Sequence, residues 1–243
     1  MIQVDNLSKH FGPVQAVDDI SFSVPDGAVT GLLGPNGAGK TTTLRLLYGL
    51  MQADSGHMHI DHVEVGADPL AAQGRMGVLP DSRGLYPRLS GREHLRYFGR
   101  LQGLDSGPLE DRIQELIELL DMGDFAERRA EGYSHGERVK VALGRALVHD
   151  PANLLLDEPT NGLDVQGTRA VRALIRQLRS AGKCVLFSSH IMQEVAALCD
   201  TIVIISGGRI AARGTPDELR EQTGHPSLED AFVALTGLDE VQP

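Results

Sequence analysis

Cysteine is scarce. The 243 residues hold only Cys184 and Cys199, each inside an apolar pattern (KCVLF and VAALC) that suits buried structure, so a disulfide framework is excluded and a reducing compartment is expected. Basic charge is in deficit as well. With 23 Lys and Arg against 33 Asp and Glu, the formal net charge is -10, which excludes the broad basic footprint of a general nucleic-acid binder; no nucleic-acid partner is expected. No window approaches the roughly 18 consecutive apolar residues of a membrane span, and the start, MIQVDNLSKHFG, lacks the basic and apolar blocks of a signal peptide. Internal repeats and low-complexity segments are missing too. What remains is a globular protein, 41% hydrophobic, able to bury a sizeable core and to dock on a membrane protein without entering the membrane.

Ile2 and Val4, then Ile20, Phe22 and Val24, alternate with polar residues before the turn Pro25-Asp26-Gly27, the pattern of antiparallel strands. The continuous apolar stretch AVTGLL (28–33) leads into a glycine-dense loop and a helical pattern carrying Leu44, Leu46, Leu47 and Leu50. A buried strand, a loop and a helix form the opening unit of an α/β fold. Residues 56–65 return to alternation, with His57, His59 and Asp61 on one face and Met58 and Ile60 on the other. With His62 those histidines resemble metal ligands, but no second ligand pair stands at a recognisable spacing, and a solvated strand face is expected. From Arg92 to about Leu120 the pattern is helical, with Leu109, Ile113, Leu116, Ile117 and Leu120 in one stripe. Strand signals NLLLD, KCVLFSS, TIVIIS and GRIAARG follow, with helices at Val165 to Ser180 and near Met192 to Leu198. The expected architecture is a single α/β domain over 1–238. It has an antiparallel β region (about 1–27 and 56–65), an inserted α-helical subdomain (about 86–133) and a nucleotide-binding core, followed by a loose tail at 239–243.

GPNGAGKT, Gly34 to Thr41, fits G-x-x-x-x-G-K-[ST] and lies between a predicted strand and a predicted helix, the context of a phosphate-binding P-loop. Its glycines let backbone N–H groups converge on phosphate oxygens, and the helix N-terminus adds a favourable dipole. Gly34, Pro35, Asn36, Gly37, Ala38 and Gly39 form the cradle. Lys40 is expected to reach the β- and γ-phosphates, Thr41 to ligate Mg²⁺ and Thr42 to hold the α-phosphate.

In NLLLDEPTNGLD, Asp157 and Glu158 directly follow an apolar strand, whose carboxyl end faces the ligand crevice in an open α/β sheet. That strand is expected beside the P-loop strand. Asp157 would hold magnesium through its water shell, and Glu158 would act as general base on the attacking water. His190 ends KCVLFSSH at a further strand end, where it can donate a hydrogen bond and sense the γ-phosphate.

Taken in order, an early aromatic (Phe11), GPNGAGKTT, SHGER before VALGRAL, LLLDEPT, NGLD and FSSH resemble an ABC-family ATP-binding subunit over nearly the whole chain. The resemblance implies a P-loop NTPase core of the ABC ATPase type and two such domains packed head to tail around ATP and Mg²⁺. Phe11 would stack on adenine beside Val17. Ser134, His135, Gly136 and Glu137 would contact the ATP bound by a second copy, Ser134 and the Gly136 N–H touching the γ-phosphate that the second copy's P-loop lysine holds, and Asp164 would communicate across the dimer.

Two segments depart from the family pattern. Its signature LSGGQ becomes Tyr133-Ser134-His135-Gly136-Glu137, and its magnesium-touching glutamine becomes Asp81, a shorter, charged oxygen donor. His135 either adds a pH-sensitive contact there or points to solvent.

The stretch PDSRGLYPRLSGREHLRYFG, the SHGER variant and SSHIMQEVAALCD are most similar to the ATPases of ABC-2-type exporters, the sodium-export (Nat-type) group among them. The short ending PSLEDAFVALTG leaves no room for the regulatory domain of some importer ATPases. The resemblance thus implies an ATPase on the cytoplasmic face of the membrane. It would drive a separate polytopic permease that exports sodium, another small ion or a drug. The permease is expected to dock on the helical subdomain near Asp81 to Leu101, through Leu85, Tyr86, Leu89 and Leu95, of which Leu95 also suits the lobe's own core. The competing readings are a soluble ABC ATPase acting on ribosomes or nucleic acid, and a regulator that has lost hydrolysis.

Overall fold

The computed structural model describes residues 1–81 and 84–237. The predicted tail, 239–243, lies outside the described residues. Strands β1 (Ile2–Phe11) and β2 (Val14–Val24) pair antiparallel, followed by β3 (Val29–Leu33) and α1 (Lys40–Leu47). Next come β4 (Ser55–Ile60), β5 (Val63–Glu64), α2 (Pro69–Gln73) and β6 (Met76–Leu79). Helices α3 (Gly91–Leu101) and α4 (Ser106–Leu119), a 3-10 turn at Ala130–Gly132 and α5 (His135–Leu147) make the helical lobe. The chain closes with β7 (Asn153–Asp157), α6 (Val165–Ser180), β8 (Cys184–Ser189), α7 (Met192–Leu198), β9 (Thr201–Ser206), β10 (Arg209–Gly214), α8 (Pro216–Thr223) and α9 (Leu228–Thr236).

One sheet is antiparallel, in the order β2-β1-β4-β5; the other runs β10-β9-β3-β8-β7-β6, parallel except for β10. The parallel strands are apolar on both faces because both faces are covered. Leu32, Leu155, Cys184 and Leu186 point to the core shared with the antiparallel sheet. Leu33, Leu154, Leu156, Val185 and Phe187 point to the core shared with the lobe and the later helices. Cys184 and Cys199 belong to these two different cores and are free thiols. Burial pushes the Cys184 thiol up to about 12.

One expectation is corrected here. The Asp157 strand β7 does not adjoin the P-loop strand β3; β8 runs between them, pairing Leu33 with Ser189 on one side and Asp157 with Ser188 on the other. Position in the chain does not fix strand order when a helix crosses over each strand. The predicted helical stretch from Arg92 to Leu120 is also two helices. Gly103, at φ +81, takes the left-handed conformation that closes α3, and its N–H bonds to Arg100 O at 3.0 Å.

The lobe is joined to the sheet through α5. Leu95 and Ile113 are fully buried against Val141 and Leu143 in one core, so lobe packing continues beyond residue 133. Arg96 Nη2 donates to Glu110 Oε2 at 2.8 Å across α3 and α4. His94 is fully buried: its Nδ1–H donates to Ser90 O at 2.7 Å, and its Nε2 accepts from the Tyr86 N–H at 2.9 Å. That pattern requires the neutral ring, and burial holds the His94 pKa below its ordinary value. A lowered folded pKa means that His94 contributes stability above the unfolded value, which is lost as pH falls toward the folded one.

Urea midpoints measured between pH 7.5 and 5 should therefore fall with pH. A single proton gives a slope no steeper than about 1.4 kcal/mol per pH unit. His94→Gln removes only part of that slope, because burial depresses the pKa of His149 as well. An unchanged pH slope in His94→Gln would assign it to other groups.

Candidate functional site: an ATP cleft at the strand ends

A cavity of about 490 Å³ opens at the carboxyl ends of the parallel strands, lined by residues 36–42 together with Ala16, Asp81, Glu158, Asn161 and His190. The sheet brings these pieces together because β3, β7 and β8 run parallel and end on the same side. Gly39 sits at φ +110, and a Cβ there would stand 2.4 Å from Ala16 O. The loop can therefore press against the antiparallel sheet only with glycine at that position.

Lys40 is 7% exposed, and its Nζ donates to Gly34 O at 2.7 Å and Pro35 O at 3.2 Å. Burial lowers its pKa, opposed by the negative charges of Glu158 and Asp157. Asp157, 1% exposed, shows the reverse. Burial raises its pKa first, Asp81 and Glu158 add to the rise, and hydrogen bonds from Ser188 and Thr41 oppose it. Thr41 Oγ1 lies 3.4 Å from Asp157 Oδ1, and Ser188 Oγ donates to the same oxygen at 2.5 Å. The cleft thus gathers carboxylates around one buried ammonium, an arrangement suited to polyphosphate and a hard cation.

Glu158 follows at the strand end with its N–H on Ser188 Oγ at 2.9 Å and its Oε2 against His190 Nδ1 at 2.9 Å. Its φ is +47. The other positive-φ residues that are not glycine, among the described residues, are Asn or Asp, which tolerate that region. Glu158 is held there by its surroundings.

Phe11 and Val17 do not line the cleft. Phe11 ends β1, 47% exposed, with the Lys9 ammonium 5.7 Å from its ring centroid. Val17 is buried in the antiparallel core, and its neighbour Ala16 faces the phosphate loop.

The SHGER segment also lies outside the cleft of its own chain. Ser134 caps α5: its Oγ accepts from Glu137 N at 3.3 Å, and the Glu137 carboxylate accepts from Ser134 N at 2.7 Å. This reciprocal pair is a capping box, which glutamate in the family's glutamine position completes. Tyr133 is buried, accepts from Gly91 N at 2.8 Å and donates to Arg128 O at 2.7 Å, so it locks α3 to α5. His135 is exposed, and its Nε2–H donates to Asn161 O at 2.8 Å in the NGLD segment. Asp164 caps α6 by accepting from Gly167 N at 2.7 Å.

Sequence reasoning did not select Ala16, Asn161 or Ser188. Ser188 was visible as the residue two before His190 in FSSH, whereas Ala16 and Asn161 carry no chemistry that marks them.

A P-loop between β3 and α1, acids at the end of β7, a histidine after β8 and a helical lobe ending in a capped glycine-containing turn define an ABC-type ATPase. A family profile described as ABC transporter matches residues 17–161. The chain is 41% identical to the ABC transporter ATP-binding protein NatA of Bacillus subtilis over 96% of this chain and 97% of that one. It is 36% identical to the linearmycin resistance ATP-binding protein LnrL of the same organism, over 99% of this chain and 76% of the other. A solved ATP-binding subunit of an ABC transporter superposes with a TM-score of 0.90 at 30% identity, covering 97% and 99% of the two chains. The chain belongs to the ABC transporter family. It is an ATP-binding subunit that hydrolyses ATP.

Proposed function

We propose that this subunit powers an exporter. Two copies close head to tail over ATP, and that closure drives a separate membrane permease. One observation supports the pairing. The cleft holds the P-loop, Asp81, Glu158 and His190, while Ser134 and Gly136 stand outside it at the start of α5. A second chain supplies the missing N–H and hydroxyl donors, and each ATP is then enclosed.

Mg²⁺ fits the oxygen donors present. Thr41 Oγ1 and Asp157 converge, and Asp81 lines the same cavity. Among the described residues no group of three or more His, Cys, Asp or Glu forms a metal cage, which suits an ion shared with phosphates. When bound, the ion neutralises charge developing on the transferred phosphoryl group. Thr41 and Asp157 would hold it, Glu158 takes the water's proton and His190 steadies Glu158.

The permease docks beside Asp81. A groove of about 240 Å³ runs between the end of α1, β6, α3 and α5, lined by Leu50, Val78, Pro80, Phe98 and Gln102. Tyr86 is 48% exposed beside it, stacked on His94 and edge-on to Tyr97. Leu85 and Leu89 are half-buried, and Leu95 is fully buried in the lobe core, so the expected four-residue surface reduces to Tyr86 with Tyr97 and the groove. No helix among the described residues is long and apolar enough to cross a membrane, which fits a subunit held on the cytoplasmic face through that groove.

The Nod factor export ATP-binding protein I of Ralstonia nicotianae, 38% identical over 90% of this chain and 68% of that one, favours export over a ribosome- or nucleic-acid-directed ATPase. A photo-crosslinker replacing Tyr86 should capture a polytopic membrane protein in cells, and the same probe at exposed Val165 should not. Capture of ribosomal protein, or equal capture at both positions, would overturn the exporter reading.

A further inference from the structure

Glu194 is 2% exposed and plays no part in the ATP cleft described above. It lies on α7, four residues after His190, and its Oε2 accepts a short hydrogen bond from Thr160 Oγ1, itself 4% exposed. Its Oε1 faces Arg172 Nη2 of α6 at 3.5 Å. Three segments with separate tasks therefore meet on one buried carboxylate. Thr160 belongs to the turn that begins at Glu158, where Asn161 N donates to Glu158 O at 3.2 Å and Leu163 N to Thr160 O at 3.1 Å. Arg172 belongs to the helix capped by Asp164. Glu194 itself belongs to the helix that follows His190.

A buried carboxylate is costly unless it is paired and hydrogen-bonded. A non-glycine residue in the left-handed region likewise persists only where neighbours over-determine it. Both conditions meet here, since Glu158 at φ +47 is two residues from Thr160.

We infer that Glu194 is a positioning residue for ATP hydrolysis: through Thr160 it holds the Glu158 turn, and through its own helix it holds His190, in register with each other. It touches neither nucleotide nor water. The inference rests on Glu158 and His190 acting on the γ-phosphate, as proposed above.

The test uses Thr160→Val, Glu194→Gln and the double variant in the full chain, with steady-state ATPase, titration of a fluorescent ATP analogue, and thermal melting. Thr160→Val removes the hydroxyl at nearly constant shape, and Thr160→Ser restores it. Misplacement of a catalytic group by about 1 Å costs up to roughly 100-fold, so kcat is expected to fall about 10- to 100-fold in both single variants, with nucleotide affinity unchanged. Thr160→Ser should recover most of the loss. The double variant should be no worse than the poorer single one, because both act through one contact.

Wild-type kcat in Thr160→Val would overturn the inference, as would losses that multiply in the double variant, or a fall in affinity and melting temperature that accounts for all lost turnover. Glu158→Gln separates the two levels. If it retains turnover, the site reading fails; if it is inactive while Thr160→Val is fully active, only the role of Glu194 fails.

Discussion

Glu158→Gln is expected to lower kcat by about 10² to 10⁴ while leaving ATP affinity intact, the range that loss of a positioned general base produces. Glutamine preserves the length and the contact with His190 Nδ1, which lies 2.9 Å from the carboxylate, but it cannot accept the proton of the attacking water. The backbone at this position is already fixed by the Ser188 and Asn161 bonds, so the substitution changes chemistry with little change in shape. With binding kept and hydrolysis blocked, two chains should accumulate around ATP. Size-exclusion chromatography with and without ATP reads this directly. A variant that turns over within about 10-fold of wild type would remove Glu158 from the general-base role. One that remains a single chain with ATP bound would remove the proposed pairing.

Lys40→Ala is expected to weaken ATP binding by about 2–5 kcal/mol, or roughly 30-fold to several thousand-fold. The ammonium is buried, bonded to the carbonyls of Gly34 and Pro35, and is the cation facing Asp157 and Glu158 across the cleft. Without it, phosphates would arrive at a site whose carboxylates repel them. Folding stability should hold or rise, since a desolvated cation costs more than its two carbonyl contacts return. Calorimetric titration with ATP and a melting curve test the two halves separately. Affinity within about threefold of wild type would count against the assigned role of Lys40.

Much of this site was legible because its chemistry is local in sequence. The P-loop needs glycines and lysine at fixed spacing, and Asp157 and Glu158 follow an apolar run whose burial makes it a strand. The limits of α6 and α7 also agree with the sequence patterns, because Asp164 caps the first and apolar spacing marks the second. Strand order was not legible, since β8 inserts between β3 and β7 from about thirty residues downstream. Nor was the choice between Ala16 and Val17. The β1–β2 ladder shifts register between Leu7 and His10, and a shift of one residue exchanges inward and outward faces. Thr160 and Glu194 lie 34 residues apart, and no spacing rule links them. His135 reads as an isolated departure until folding brings Asn161 to it.

That last bond has a thermodynamic consequence for the proposed pair. Asn161 lines a chain's own ATP cleft, Ser134 and Gly136 would face its partner's in that pair, and His135 ties the two segments within one chain. Filling one cleft then biases the segment that completes the other. Such influence is reciprocal for equilibrium binding, so whatever the first nucleotide does to the affinity for the second, the second does equally to the first.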